Sequence, residues 1–159
     1  MSVLPAGLPT PVPSRDGLDT PYWEGTRRHE LWVQRCRACS TWQWGPEWIC
    51  HACRSFDVGW EQVAPAIGRI YSWERVWHPV HPVLAPACPY TVLLVELPQA
   101  GGIRTVGNLL GDATQRFAIG DEVTAVFEDH DDAAKPYTLV QWRLVVAKEH
   151  TNTTEGAAT

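Results

Sequence analysis

The chain has 159 residues, 45% hydrophobic and 19% charged, which excludes a disordered polymer and allows one ordinary domain or two very small ones. Thirteen basic and eighteen acidic residues give a net charge of −5, which argues against a general nucleic-acid binder. Nine tryptophans stand beside only three phenylalanines and four tyrosines. So many large rings predict contact surfaces as well as core.

The N-terminal region carries five prolines up to position 21 and has no apolar stretch typical of a signal peptide. We predict a flexible arm over residues 1–20. An uncharged window at residues 76–95 has the length of a membrane span, but its four prolines would break a spanning helix. We therefore expect a soluble, cytoplasmic protein with no membrane partner.

The first predicted elements are a short helix and a strand. Thr20 followed by Pro21 is typical of a helix start, with a capping hydroxyl and a proline at the first helical position. The helix is predicted over residues 21–28 and presents Tyr22 and Trp23. Alternation over residues 29–35 then predicts a short strand that leads into Cys36.

The strongest motif is a pair of C-x-x-C segments within eighteen residues. Each pair lets a tight turn aim two sulfurs at one point, and four thiolates describe a closed, structural zinc site. We expect one structural Zn²⁺ per chain; a rubredoxin-type iron site and unmetallated thiols are the alternatives. Residues 21–60 are thus predicted to form the helix and a rubredoxin-like zinc ribbon. The predicted ligands are Cys36, Cys39, Cys50 and Cys53.

Beyond residue 60 the sequence predicts a mainly β domain over residues 61–148, followed by a disordered tail at 149–159. Five runs rich in β-branched and aromatic residues, separated by Gly, Pro or Asp, favour a five-stranded OB-fold barrel. The acidic run 128–132 lacks calcium-loop spacing and predicts a hydrated loop. The five predicted strands cover residues 67–76, 90–97, 103–110, 122–128 and 138–146.

No catalytic residue is predicted. Cys88 lies near His78 and His81 in sequence, and an activated thiol would be a nucleophile, but an inert residue in a proline-fixed loop is the favoured interpretation. The two histidines lack a third metal ligand of convincing spacing. The chain also lacks a nucleophile-elbow motif and a phosphate-binding glycine loop.

The motif order resembles that of the acyl-CoA-associated zinc-ribbon/OB-fold family, long catalogued as a domain of unknown function. The resemblance covers residues 20–146. Ser40 and Arg54 depart from it, since glycine often follows each cysteine pair in the family. The matching segments are PYW at 21–23, LWVQRCRAC at 31–39, CHAC at 50–53, GRIYS at 68–72, PYTVLLVEL at 89–97, GNLL at 107–110 and IGDEV at 119–123.

This resemblance implies a function as a small subunit that pairs with a thiolase-like enzyme. Members assemble with acyl-CoA thiolases, steroid side-chain aldolases and related acyltransferases, and the partner carries the catalytic residues. The resemblance implies that this chain is needed for assembly, that it shapes the acyl-CoA channel, and that it joins a partner dimer as a heterotetramer.

The alternative functions are single-stranded nucleic-acid binding and a stand-alone enzyme. Residues 61–159 hold seven basic and twelve acidic side chains, which argues against nucleic-acid binding.

Two regions are candidates for the partner surface, because rigid aromatics and pre-ordered loops bind at low entropic cost. They are the helix and the proline-rich loop 76–89. We expect five or six of the nine tryptophans in the core, which leaves a few for a partner. The predicted partner-binding residues are Tyr22, Trp23, Trp77, His78, Pro79, Pro82 and Pro86. The predicted acyl-CoA-binding residues are Arg27, Arg28, Arg35 and Arg37. The alternative is that they are solvated surface arginines with no role toward acyl-CoA.

Overall fold

A computed structural model describes residues 16–79, 81–131, 133 and 135–145. Within these residues the chain forms one α-helix, eight β-strands and two 3₁₀ segments, Pro82–Ala87 and Pro98–Ala100. The predicted mainly β fold is thereby confirmed. The elements are α1 (Thr20–Arg27), β1 (Trp32–Cys36), β2 (Trp42–Gln43), β3 (Val58–Gln62), β4 (Ile67–Val76), β5 (Tyr90–Leu97), β6 (Ile103–Asn108), β7 (Glu122–His130) and β8 (Tyr137–Leu144).

Helix α1 begins one residue earlier than predicted. Asp19 is the N-cap residue, and its carbonyl accepts the N–H groups of Tyr22 and Trp23 at 3.1 and 3.2 Å. The predicted cap, Thr20, therefore lies inside the helix, and no side chain caps the N-terminal N–H groups. The Asp19 carboxylate instead accepts a hydrogen bond from the indole N–H of Trp23 at 2.8 Å.

The ribbon contains a three-stranded antiparallel sheet in the order β2-β1-β3. Strand β1 starts three residues later than predicted, because Arg28 and Glu30 complete the end of the helix by donating to the carbonyl of Gly25. Between them, His29 has a left-handed φ of 59°. Strand β3 was not predicted, and it runs across the predicted domain boundary at residue 60.

The second sheet is the predicted five-stranded barrel, nearly closed, in the order β6-β5-β4-β7-β8. Its two ends meet in a parallel bridge between Leu109 and Trp142, where Leu110 N–H donates to the Trp142 carbonyl at 2.7 Å. The crossing is tight, since a Cβ on Gly107 would lie 2.6 Å from the carbonyl oxygen of Val140. Glycine at this position lets β6 approach β8.

The predicted hydrated loop at residues 128–132 is wrong for residues 128–130, which belong to strand β7. The strand continues to His130 and pairs with β8 residue by residue as far as Tyr137. Glu128 is buried and accepts a hydrogen bond from Gln141 Nε2 at 2.9 Å. A buried polar partner on β8 stabilises a carboxylate that the sequence pattern assigned to solvent.

The core lies inside the barrel and extends to β1 of the ribbon. Alternate residues of β5 (Leu93, Val95 and Leu97) are fully buried, as is Trp142. The expectation of five or six core tryptophans was wrong, because aliphatic side chains and one indole fill this small interior. Four tryptophans are partly buried (Trp23, Trp32, Trp42 and Trp60), and four are exposed (Trp44, Trp48, Trp73 and Trp77).

The predicted flexible arm lies outside the described residues except for residues 16–20, and the predicted tail at 149–159 lies entirely outside them. Among the described residues, the helices are too short and too polar to cross a bilayer.

Candidate metal centre and contact surfaces

The two C-x-x-C segments fold as matching turns, the first at the end of β1 and the second between β2 and β3. In the first turn, Ser40 N–H donates to the carbonyl of Cys36 at 2.9 Å; in the second, Arg54 N–H donates to the carbonyl of Cys50 at 2.9 Å. Each first cysteine also donates its own N–H to the carbonyl five residues later, again at 2.9 Å. The same backbone geometry therefore presents both pairs of sulfurs.

The residues that follow the cysteine pairs adopt left-handed backbone conformations. Ser40 and Arg54 both have a φ of 61°. This region favours glycine, because a Cβ there crowds the neighbouring carbonyl oxygen. Holding a residue other than glycine in this conformation costs about 1–2 kcal/mol per residue.

The four sulfurs converge on one point. All four Sγ atoms lie within 4.8 Å of one another, and the Cys36–Cys53 and Cys39–Cys50 sulfurs are each 3.6 Å apart. A tetrahedral zinc ion with Zn–S bonds of about 2.3 Å requires sulfurs about 3.8 Å apart. All four thiols are free of disulfides. The donor set therefore fits a closed four-thiolate metal centre.

The surroundings of the cluster lower the pKa of Cys39 and raise the pKa of Cys53. The side chain and then the backbone of Thr41 lower the pKa of Cys39 to about 6. A backbone hydrogen bond from Ser55 lowers the pKa of Cys53, but Cys39, partial desolvation and the other thiols outweigh it and raise that pKa to about 12. Metal binding must displace protons from such a cluster.

The arginines predicted to bind acyl-CoA are all engaged within the chain. Each guanidinium lies within salt-bridge distance of a carboxylate, so each already has a local role on the surface. The closest pairs are Arg27–Asp131 at 2.8 Å, Arg28–Glu30 at 3.1 Å, Arg35–Glu61 at 2.7 Å and Arg37–Asp57 at 3.5 Å. Their role toward acyl-CoA stays a prediction.

The helical part of the predicted partner surface is more buried than its sequence indicates. Tyr22 packs against the core and contacts the rings of Trp23 and Trp44 edge-on, with centroids 5.2 and 5.0 Å apart. Burial raises the pKa of Tyr22 to about 12. These contacts join α1 to the ribbon loop, and Trp44 remains 37% exposed.

The proline-rich loop leaves more surface exposed. Trp77 is 60% exposed, and His78, Pro82 and Pro86 are exposed as well, whereas Pro79 is half-buried. The neighbouring His81 has a structural role, since its Nδ1 accepts the N–H of Val83 at the start of the first 3₁₀ segment. Other exposed rings are Trp48 and Phe56 of the ribbon, and Tyr71 and Trp73 of β4.

This architecture matches two domains of a known protein family. Residues 23–59 match the rubredoxin-like zinc ribbon domain of ChsH2, and residues 60–128 match its C-terminal OB-fold domain. The chain is thus a zinc-ribbon/OB-fold protein of the DUF35 class. A solved structure named "Ltp2-ChsH2(DUF35) aldolase" contains a chain that is 34% identical, with a TM-score of 0.69 over 85% of this chain and 98% of that one. The protein belongs to the ChsH2 family.

Other relatives extend the comparison. A DUF35 protein of unknown function from Sulfolobus solfataricus shares the fold at 9% identity, with a TM-score of 0.54 over 79% of this chain and 84% of its own. A "Probable enoyl-CoA hydratase alpha subunit" of Thermomonospora curvata is 37% identical over 143 residues, 89% of this chain and 41% of the relative.

A second curated relative is the "3-oxo-4,17-pregnadiene-20-carboxyl-CoA hydratase alpha subunit" of Mycobacterium tuberculosis. It is 30% identical over 149 residues, which cover 87% of this chain and 45% of the relative. The chain therefore spans less than half the length of these two curated relatives.

Proposed function

We propose that this chain is a non-catalytic, zinc-containing accessory subunit of an enzyme complex that acts on acyl-CoA thioesters. The observation that carries the proposal is the 34% identical chain, which is matched over 98% of its length and belongs to a structure named as an aldolase. The names of the two curated relatives, both alpha subunits of CoA-ester hydratases, point to the same class of substrate.

The chemistry of the described residues supports an accessory role. Four thiolates around one ion leave no open position for a substrate or an activated water. Cys88 is half-buried, and in the described part of the chain no hydrogen bond joins its sulfur to an imidazole that would activate it. Exposed tryptophans, in contrast, are the residues that dominate the energetics of protein interfaces.

The finer parts of the proposal concern the partner and the substrate. The partner is a thiolase-fold enzyme that supplies the catalytic residues, and two copies of this chain join a partner dimer. The substrates are acyl-CoA thioesters, with steroid side chains as one candidate class. The chain completes the acyl-CoA channel, and the predicted surface residues of α1 and of loop 76–89 contact the partner.

Co-expression with a thiolase-fold subunit of the same genome tests this function. The two chains should co-purify, and acyl-CoA turnover should need both. Atomic absorption should find one zinc per copy of this chain, and a colourless protein would exclude an iron–thiolate centre. Failure to co-purify, with each chain folded and zinc bound, would overturn the proposal.

The substrate screen should include three reactions. The names of the curated relatives favour hydration of an enoyl-CoA, whereas the name of the solved complex favours aldol cleavage. Thiolysis follows from the proposed partner fold. A parallel titration with single-stranded DNA tests the nucleic-acid alternative, which predicts binding that weakens steeply with salt.

A further inference from the structure

Large side chains lie in the second half of β4 and directly after it. Trp73 and Arg75 are alternate residues of β4 and therefore lie on the same face of the sheet, and Trp77 follows directly after the strand ends. Trp73 is 43% exposed and Trp77 is 60% exposed. Phe117 lies edge-on to Trp73, with ring centroids 5.1 Å apart. We call these four residues the rim patch.

The strand register places Trp73 and Arg75 on the inner side of the sheet. Trp73 pairs with Leu93 and Arg75 pairs with Thr91 across the β4–β5 ladder. Leu93 and Thr91 are buried, and paired residues point to the same face. Trp73 and Arg75 therefore continue the inner face of the sheet to a part of β4 that is open to solvent.

Arg75 is the charged group of this patch, and its surroundings are neutral. Its guanidinium carbon lies 5.8 Å from the ring centroid of Trp73 and 5.7 Å from that of Phe117. Its Nε donates to Thr91 Oγ1 and its Nη2 donates to the carbonyl of Gln115, both at 3.4 Å. Two rings and two neutral acceptors thus hold the guanidinium in place.

This arginine differs from those discussed above. Arg27, Arg28, Arg35 and Arg37 each face a carboxylate, but among the described residues no carboxylate forms a salt bridge with Arg75. A half-buried guanidinium that has no salt bridge within the described residues can pair with an anion of another molecule, and such a charge-assisted hydrogen bond is strong.

We propose that the rim patch docks the enzyme subunit of the complex, and that Arg75 receives a carboxylate of that subunit. The inference rests on the proposed function, since it assigns the position and chemistry of one contact. Tryptophan and arginine together are the composition of interface hot spots. The patch is also continuous with loop 76–89 through Trp77, so one partner surface covers both.

The affinity of the purified full chain for the co-expressed thiolase-fold subunit, measured by calorimetry, tests the inference. Arg75→Glu should raise Kd at least about 30-fold, because it places a negative charge opposite the partner's carboxylate. Trp77→Ala should also raise Kd about 30-fold. Arg143→Glu is the matched control, since Arg143 is an exposed arginine of β8, and it should change Kd less than threefold.

Zinc content and thermal melting check that each variant folds. If Arg75→Glu fails this check, Trp77→Ala decides, because its ring is mostly exposed. If the wild type binds the enzyme subunit and both variants bind it with the same Kd, the inference about the rim patch is wrong and the proposed function is unaffected. No binding by the wild type would overturn both. A third outcome is that the isolated chain binds free coenzyme A, that Arg75→Glu abolishes this binding, and that the affinity for the enzyme subunit is unchanged. Arg75 would then bind the ligand instead of the partner, and the inference would be wrong.

Discussion

Ser40 and Arg54 show how the cysteine turns constrain single residues. Both hold a left-handed backbone although each carries a Cβ. Ser40→Gly should therefore raise the free energy of unfolding of the zinc-bound protein by up to about 1 kcal/mol, since the relief of steric cost exceeds the added chain entropy of glycine.

Urea denaturation measures this change, and Ala38→Gly in the same turn is its control. Ala38 is exposed and is not among the described residues with a positive φ. Its replacement should lower the free energy of unfolding by about 0.5–1 kcal/mol. Equal losses in both variants would show that the turn does not strain Ser40.

The tryptophans divide sharply by environment. Trp142 is fully buried at the closure of the barrel, whereas Trp48 is 57% exposed on the ribbon. Trp142→Ala should lower the free energy of unfolding by about 3–5 kcal/mol through lost burial and an internal cavity. Trp48→Ala should change it by less than about 0.5 kcal/mol. Comparable losses in chemical denaturation would contradict the described core.

At the scale of elements, polar contacts fasten the end of α1 to β7 and β8. The carboxylate of Asp129 accepts a hydrogen bond from Thr138 Oγ1 at 2.6 Å and lies 2.9 Å from His29 Nε2. Arg27 lies 3.7 Å from the same carboxylate. The helix and the barrel are thus joined by a shared acid on β7.

Asp129→Asn should weaken this junction by about 1 kcal/mol at pH 7, allowing for solvent screening. Hydrogen bonds from Thr138 and then His29 hold the pKa of Asp129 below its usual value. The ionised acid therefore stabilises the fold above the unfolded-state pKa of about 3.9, and this stabilisation is lost as the pH falls through the lower folded-state pKa.

Denaturation of the wild type and the variant at matched pH measures the difference, which should close in acid. Loss of zinc in acid affects both proteins alike, so the difference between them reports on Asp129. Asp57→Asn, in an exposed pair with Arg37, should change stability by less than about 0.5 kcal/mol. A difference that widens in acid would contradict the assignment.

The elements that sequence predicted best are those with strong local signals. The paired cysteines specify the metal centre because their spacing brings four sulfurs together. Strands β4 and β5 have the predicted bounds because runs of aliphatic, β-branched and aromatic residues between prolines mark them. Strand β3 and the extension of β7 escaped prediction. Their pairing with β1 and β8, and the burial of Glu128 on Gln141, are long-range contacts that local pattern does not encode.

The candidate surfaces were predicted less completely than the metal centre. The sequence indicated an excess of tryptophan but not which rings face solvent, because that depends on how much of the barrel interior the aliphatic residues fill. The sequence pattern does not distinguish Trp73 and Arg75 as surface residues for this reason. Their surroundings follow from the strand register and from the loop that carries Phe117.

At the scale of the whole molecule, we infer that a metal-stabilised ribbon and a barrel form a docking unit, and that the reacting groups lie on another chain. Steady-state turnover of an acyl-CoA by this chain, by its thiolase-fold partner and by the two together tests this inference most directly. We predict turnover only in the mixture, and unchanged turnover when Cys88→Ser replaces the wild-type chain. Turnover by this chain alone, abolished in Cys88→Ser, would contradict it.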